Sequence, residues 1–128
     1  MERQEFENIV EEAFHHLPFL FREKIENVEI VVEDVPSSSL NQKMKTGKTS
    51  MLLGLYQGVP LTHRGTGYGM APVLPDRIFL FQHNIEHLCK NQDEVRFKIY
   101  EVLCHEIGHY FGMNENQIRS AMKNWKYD

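Results

Sequence analysis

Apolar residues near the start of the chain recur at helical spacing, which predicts an amphipathic helix over about residues 2–16. Pro18 follows at the point where this helix must end. Further along, Val28, Ile30 and Val32 alternate with Glu29, Val31 and Glu33, a pattern typical of a strand. The face of the predicted helix consists of Phe6, Ile9, Val10, Ala13, Phe14 and Leu17.

The middle of the chain alternates between long polar stretches and short apolar runs. Residues 34–50 are polar and contain three consecutive serines, so we expect a surface loop. Residues 51–56 form a short apolar run that predicts a strand, and residues 77–82 (RIFLFQ) give the strongest strand signal. Between them, residues 58–76 are rich in Gly and Pro and lack periodicity, which is uncommon in a compact domain unless the segment has a function.

The last third of the chain is predicted to be helical. A short helical piece is expected at about 84–90, and then a long helix from Glu94 to about Phe111 with Asp93 as its N-cap. Two apolar stripes on this helix, one of which includes Phe97, indicate a central, buried element. Gly112 occupies the position of a left-handed C-cap. Asn114 and Gln117 then form the capping box of a final helix.

Composition and charge agree with one α+β domain spanning residues 1–128. The chain is 41% hydrophobic and 25% charged, as in ordinary globular domains. The formal net charge of -4 argues against a nucleic-acid partner, and the lack of a long apolar run predicts no membrane span. The acidic start, MERQEFENIVEEAF, does not fit a signal peptide, so we expect a cytoplasmic protein. Two cysteines, Cys89 and Cys104, are too few for a disulfide framework.

One motif in the long helix carries chemistry. In the string CHEIGHYFGMNE, His105 and His109 are four residues apart and therefore share a helix face, so both imidazoles can bind one zinc ion. Glu106 lies at the flank of such an ion, where it can act as general base on a zinc-activated water. If Gly112 reverses the chain, Glu115 returns toward the metal as the third ligand.

Each of these residues also has a simpler explanation. The two histidines could be hydrogen-bonded core residues, and Glu115 could serve only to stabilise the positive end of the last helix. Gly108 could allow close packing of a strand or a substrate, or have no role. His83 and His87 have the same spacing as the motif histidines but lack an adjacent acid and a following glycine turn, which favours ordinary surface or core residues.

The string HEIGHYFGMNE resembles the extended HExxHxxGxxH/D signature of metzincin-related zinc peptidases. Together with GLYQGVPLT and LPDRIFLFQ, it is similar to the bacterial minimal zincin-like metallopeptidase family. The resemblance implies a small mixed sheet with about three helices, and a single zinc ion on His105, His109 and Glu115 with Glu106 as base. It departs from the larger relatives at Glu115, where they have His. In zincins an edge strand lies above the zinc, and residues 77–82 are the expected counterpart, although an inner strand fits the sequence equally well.

The sequence therefore predicts a zinc-dependent metalloendopeptidase acting on a peptide or unfolded protein. An oxyanion-stabilising donor is expected from Tyr68, His63 or Arg64 in the glycine-rich segment. Two alternatives remain open: a metal-dependent RNA hydrolase, which the net charge and Glu106 disfavour, and a non-catalytic zincin-like module that only binds peptides. The oligomeric state is not indicated by the sequence.

Overall fold

The structure is a computed structural model that describes residues 1–17, 22, 25, 27–37, 52–58 and 76–123. Its elements in chain order are α1 (Arg3–His15), β1 (Val28–Glu33), β2 (Gly54–Gln57), β3 (Asp76–Phe81), α2 (Gln82–His87), α3 (Gln92–Tyr110) and α4 (Glu115–Lys123). The predicted α+β class, with a small mixed sheet, is confirmed. The described part contains four helices, because the short helical piece before α3 forms as a separate element directly after β3.

The three strands form one mixed sheet in the order β1-β3-β2. β1 runs parallel to β3, with Ile30 opposite Ile78, while β2 runs antiparallel to it, with Tyr56 opposite Ile78. The prediction that residues 77–82 are an edge strand is wrong, because β3 has a partner on each side. Ile78 and Leu80 are fully buried, as expected for a central strand whose apolar side chains face a helix layer.

α3 is the central helix of the fold. It packs against α1 on one side and against β2 and β3 on another. The core between these elements contains Phe6 and Ile9 from α1 and Ile99, Leu103 and Ile107 from α3. This arrangement explains the two apolar stripes, since a helix between two layers must present apolar side chains to both.

Two details of α3 differ from the sequence expectation. Its N-cap is Asn91 rather than Asp93, because the Asn91 side chain accepts a hydrogen bond from the Glu94 N–H at 2.9 Å and Asp93 lies in the first turn. Phe97 is 55% exposed instead of buried in the apolar stripe. Among the described helices, none is long and apolar enough to cross a bilayer.

Candidate metal centre

The two motif histidines lie on the last turns of α3 and face the same side of the helix. Their ring centroids are 4.9 Å apart, and each side chain is about one-third exposed, at 36% and 34%. The alternative that these histidines are core residues is therefore wrong, because both side chains reach solvent although they belong to a largely buried helix. Because both imidazoles are partly exposed on a rigid helix, they can bind a ligand without unfolding of α3.

The chain reverses immediately after the second histidine. Gly112 adopts a φ of 78°, and its N–H donates to the His109 carbonyl at 2.9 Å. The N–H of Met113 donates to the Gly108 carbonyl at 3.0 Å, which completes a Schellman motif. The positive φ favours glycine here, so the predicted left-handed C-cap is confirmed.

The final helix begins three residues later with a reciprocal capping box, as predicted. The Gln117 N–H donates to Asn114 Oδ1 at 2.8 Å, and the Asn114 N–H donates to Gln117 Oε1 at 2.8 Å. This cap places Glu115 at the first position of α4, facing back toward α3. The turn and the cap together determine where the Glu115 carboxylate lies.

Glu115 lies between the two imidazoles. Its Oε1 is 3.1 Å from His105 Nε2 and 3.4 Å from His109 Nε2, and one ligand atom from each of the three residues lies within 4.8 Å of the others. Two ligands bound at 2.0–2.2 Å to a tetrahedral zinc ion are separated by about 3.4 Å. The carboxylate–imidazole distances therefore fit a zinc site, and the donor set of two nitrogens and one oxygen is one that zinc accepts.

Gly108 explains how α4 comes so close to α3. A Cβ atom at position 108 would lie 2.5 Å from Ile118 Cγ1 and 2.9 Å from Ile118 Cδ1, which is closer than atoms can approach. Ile118 is 1% exposed and anchors α4 in the core, three residues beyond Glu115. Gly108 thus allows close packing, but its neighbour is a helix and not the strand or substrate that the sequence suggested.

Glu106 points away from solvent, with only 9% of the residue exposed. Burial raises the pKa of its carboxyl, while His105 and a hydrogen bond from the main chain of Tyr56 lower that pKa. Burial and the nearby His105 lower the pKa of His109, and Glu115 opposes that effect. A neutral imidazole is the form that binds a metal, so the lowered pKa of His109 favours the binding form.

An apolar cleft of about 620 Å³ adjoins two of the three candidate ligands, His105 and Glu115. Its walls come from the start of β2, the outer face of α3 and the inner face of α4, and include Leu53, Phe97, Glu106, Ile118 and Arg119. Sequence reasoning missed this cleft because it depends on how three elements meet. The predicted oxyanion donors Tyr68, His63 and Arg64 lie outside the described residues.

β2 lies directly over Glu106, a contact that sequence reasoning also missed. A Cβ atom at Gly54 would lie 2.6 Å from Val102 Cγ1 and 3.4 Å from Glu106 Cγ, so the strand can approach the helix only because position 54 has no side chain. A glycine inside a strand signals such a close approach, and this signal was available in the apolar run at 51–56.

The other candidate groups do not assemble into a site. His83 and His87 stack with ring centroids 6.2 Å apart on α2. Within the described residues, the only cluster of three suitable metal ligands is His105, His109 and Glu115. Cys89 and Cys104 are both free thiols, and burial raises the pKa of Cys104 to about 12, so that thiol is neither a nucleophile nor a metal ligand at neutral pH.

These features define a class: a small α+β protein whose long central helix carries two histidines that could bind a metal ion, with a buried glutamate after the first of them and a third candidate ligand after a tight turn. The family model for zincin-like metallopeptidases matches residues 25–125. The chain therefore belongs to the zincin-like metallopeptidase family.

Among solved structures, a conserved hypothetical protein from Thermo thermophilus is similar to this chain with a TM-score of 0.53 and 18% sequence identity. The match covers 96% of this chain and 100% of that one, so the two share a fold over nearly their whole lengths. None of the curated protein sequences is significantly similar to this chain.

Proposed function

We propose that this protein is a zinc-dependent endopeptidase that cleaves peptides or unfolded protein segments with a single zinc ion. The observation that carries the proposal is the triangle of His105, His109 and Glu115, whose carboxylate–imidazole distances of 3.1 and 3.4 Å match those around a tetrahedral ion. Three protein ligands leave one position for water or substrate, which is the arrangement of a catalytic site.

Each residue has a separate task in the proposed reaction. The zinc ion, when bound, polarises the carbonyl of the scissile bond and increases the acidity of a water molecule. Glu106 accepts the proton of that water and delivers it to the leaving amine. Burial raises the pKa of the Glu106 carboxyl, which is the direction that helps a carboxylate both to accept a proton and to give it up again.

The fold suggests where the substrate binds. β2 pairs with β3 along one side only, and no described strand pairs with its other side. An extended peptide can add to this edge through main-chain groups other than the Tyr56 N–H, which donates to the Glu106 carboxylate, and its side chains would then reach the apolar cleft beside Phe97. β2, rather than β3, takes the edge position that the family resemblance implies. Two free thiols suit a reducing compartment, so we place the reaction in the cytoplasm.

The test is zinc-dependent cleavage of a panel of unstructured fluorogenic peptides that differ in apolar side-chain content. Glu106→Gln should retain one zinc ion per chain and lose activity by about 100-fold or more. His109→Ala should lose both zinc and activity. A Glu106→Gln variant that cleaves as fast as the parent would contradict the proposed mechanism.

The same preparations distinguish the two alternatives. Cleavage of RNA but not of peptides, dependent on zinc, would favour the RNA hydrolase. Tight peptide binding by the zinc-loaded parent without turnover would favour the non-catalytic module.

A further inference from the structure

We infer that Tyr56 and Asp76 are positioning residues for Glu106: the hydroxyl of Tyr56, held by the buried Asp76 carboxylate, fixes the strand whose main chain holds the proposed base. This inference rests on the proposed function in one respect, that Glu106 is the general base. Tyr56 and Asp76 are hydrogen-bonded to each other, and both lie about thirty or more residues before the motif.

The strand pairing turns the N–H at position 56 away from β3, so that β3 does not occupy it. The Phe81 N–H donates to the Leu53 carbonyl at 3.0 Å, which marks residues 53 and 81 as a hydrogen-bonded pair. Such pairs alternate along an antiparallel ladder, so Tyr56, opposite Ile78, is at a non-hydrogen-bonded position. Its N–H therefore points away from β3, to the side where the Glu106 carboxylate accepts a hydrogen bond from the main chain of Tyr56.

The Tyr56 side chain fastens this part of β2 on the face of the sheet that packs against α3. Its hydroxyl donates to Asp76 Oδ2 at 2.7 Å, and its ring meets the ring of the fully buried Tyr110 of α3 edge-on, at 6.1 Å and 82°. Asp76 belongs to the first residue pair of β3 and is 3% exposed. The Tyr56 side chain thus joins the strand to the central strand and to the helix that carries Glu106.

Gly58 lies against the Asp76 side chain and leaves space for its carboxylate. A Cβ atom at position 58 would lie 2.4 Å from Asp76 Cγ and 2.5 Å from Asp76 Oδ1, so any side chain there would push against the carboxylate that holds Tyr56. Two glycines of one short segment therefore have related roles: Gly54 lets β2 approach Glu106, and Gly58 lets Asp76 reach Tyr56.

Stability alone does not account for a buried carboxylate at this position. Removing Asp76 from water is costly, and an apolar pair of similar volume is often as stable or more so. In contrast, a hydrogen bond of defined length and direction fixes the distance between β2 and α3. Glu106 benefits from that precision because a misplacement of about 1 Å of a catalytic group can reduce a rate by about 100-fold.

The test uses the zinc-loaded protein with four single variants and one double variant. Tyr56→Phe removes only the hydroxyl, Asp76→Ala removes the acceptor, and Asp76→Asn keeps an acceptor oxygen. Ile9→Val, a small core deletion in α1, is the control for loss of stability. For Tyr56→Phe and Asp76→Ala we expect kcat for peptide cleavage to fall by about tenfold while KM changes by less than about twofold. Zinc content should remain at one ion per chain.

The pattern across variants separates positioning from simple destabilisation. Asp76→Asn should retain most of the parental kcat, and the double variant Tyr56→Phe/Asp76→Ala should be no slower than either single variant, because both remove the same contact. An unchanged kcat in Tyr56→Phe, or an equal loss in Ile9→Val, would overturn the inference.

A second measurement does not depend on activity. In the metal-free protein, hydrogen exchange at the main-chain N–H of position 56, followed by NMR, should be about tenfold faster in Tyr56→Phe and Asp76→Ala than in the parent and in Ile9→Val. If the parent cleaves no peptide, the proposed function fails, and this measurement still decides the positioning role. Equal exchange rates in all of these proteins would contradict it.

Discussion

Gly108 shows how one missing side chain determines the distance between two helices. A glycine in a helix interior costs roughly 1 kcal/mol relative to alanine. Here it lets Ile118 of α4 lie against the main chain of α3, and so brings Glu115 within 3.1 Å of His105. The composition of the motif alone does not reveal this role, because the residue that needs the space belongs to another helix.

Gly108→Ala should therefore weaken zinc binding in addition to the fold. Overpacking costs about 1–3 kcal/mol, and the better helix propensity of alanine returns about 1 kcal/mol. We expect the free energy of unfolding of the metal-free protein to fall by about 0–2 kcal/mol, and zinc affinity to fall by about tenfold or more. Competition titration with a fluorescent chelator measures the affinity, and chemical denaturation measures the stability.

Two further variants sharpen that comparison. Ser120→Ala, at an exposed position of α4, should leave zinc affinity unchanged. Shortening Ile118 to alanine in the Gly108→Ala protein should restore part of the affinity, because it removes the two clashing atoms. Unaltered zinc binding by Gly108→Ala would show that the spacing of the helices does not determine the position of Glu115.

Glu106 illustrates a conflict between stability and the proposed chemistry. Burial raises the pKa of its carboxyl above the ordinary 4.5, so the folded metal-free protein holds this proton more tightly than the unfolded chain does. The associated stability is fully present below pH 4.5 and is lost as the pH rises through the raised pKa.

Glu106→Gln should consequently stabilise the metal-free protein at pH 7 and have no such effect at about pH 4. We expect a gain on the order of 1 kcal/mol at pH 7, or about 4 °C in the melting temperature, measured by thermal unfolding with a chelator present. Glu101→Gln, on the same helix but with its side chain 40% exposed, is the matched control and should show no gain. A variant less stable than the parent at pH 7 would refute this prediction.

At the scale of elements, the starts of α3 and α4 carry similar caps with different consequences. Asn91 caps the start of α3, far along the helix from the histidines, whereas Asn114 caps α4 next to Glu115. Both are single asparagine side chains that accept a hydrogen bond from a main-chain N–H three residues later.

Replacing each asparagine with alanine should separate stability from metal binding. Both Asn91→Ala and Asn114→Ala should lower the free energy of unfolding by about 0.5–2 kcal/mol. Only Asn114→Ala should also lower zinc affinity, because it loosens the turn that presents Glu115. Isothermal titration with zinc and urea denaturation measure the two quantities, and equal zinc affinities in both variants would contradict the assignment.

Local patterns predicted the elements well, and long-range pairing explains what they missed. Several features depend only on residues a few positions apart, so a short segment is enough to predict them. They are the helical periodicity of Phe6 to Leu17, the capping box at Asn114 and the glycine at 112. The central position of β3 depends on pairing between distant segments. β3 pairs with β1, about fifty residues before it, and with β2, about twenty residues before it. The position of Tyr56 beside Glu106 is likewise not visible in either segment alone.

At the scale of the molecule, a bound zinc ion should stabilise the fold, because three ligands from two helices assemble only in the folded state. At a free zinc concentration about 100 times the dissociation constant, the expected gain is about 2.7 kcal/mol, roughly 10 °C in the melting temperature. His109→Ala should abolish the shift. His87→Ala removes one of the other pair of histidines at the same spacing, and should keep the shift in full.

That thermal measurement also tests the number of sites. A shift that saturates at one zinc ion per chain agrees with the single described ligand cluster. A shift that survives in His109→Ala, or that disappears in His87→Ala, would place the ion elsewhere.

The contrast between a local ligand set and a distant support for the base has a consequence for refolding of the intact chain. His105, His109 and Glu115 lie within one helix–turn–helix, so short-range contacts bring the proposed ligands together. Glu106 acquires its partner at position 56 only after the chain has joined segments fifty residues apart. If zinc binds at the proposed site, a refolding intermediate that contains only this helical hairpin would hold the ion before the proposed base is in place, and hydrolysis would begin only after the sheet has docked on α3.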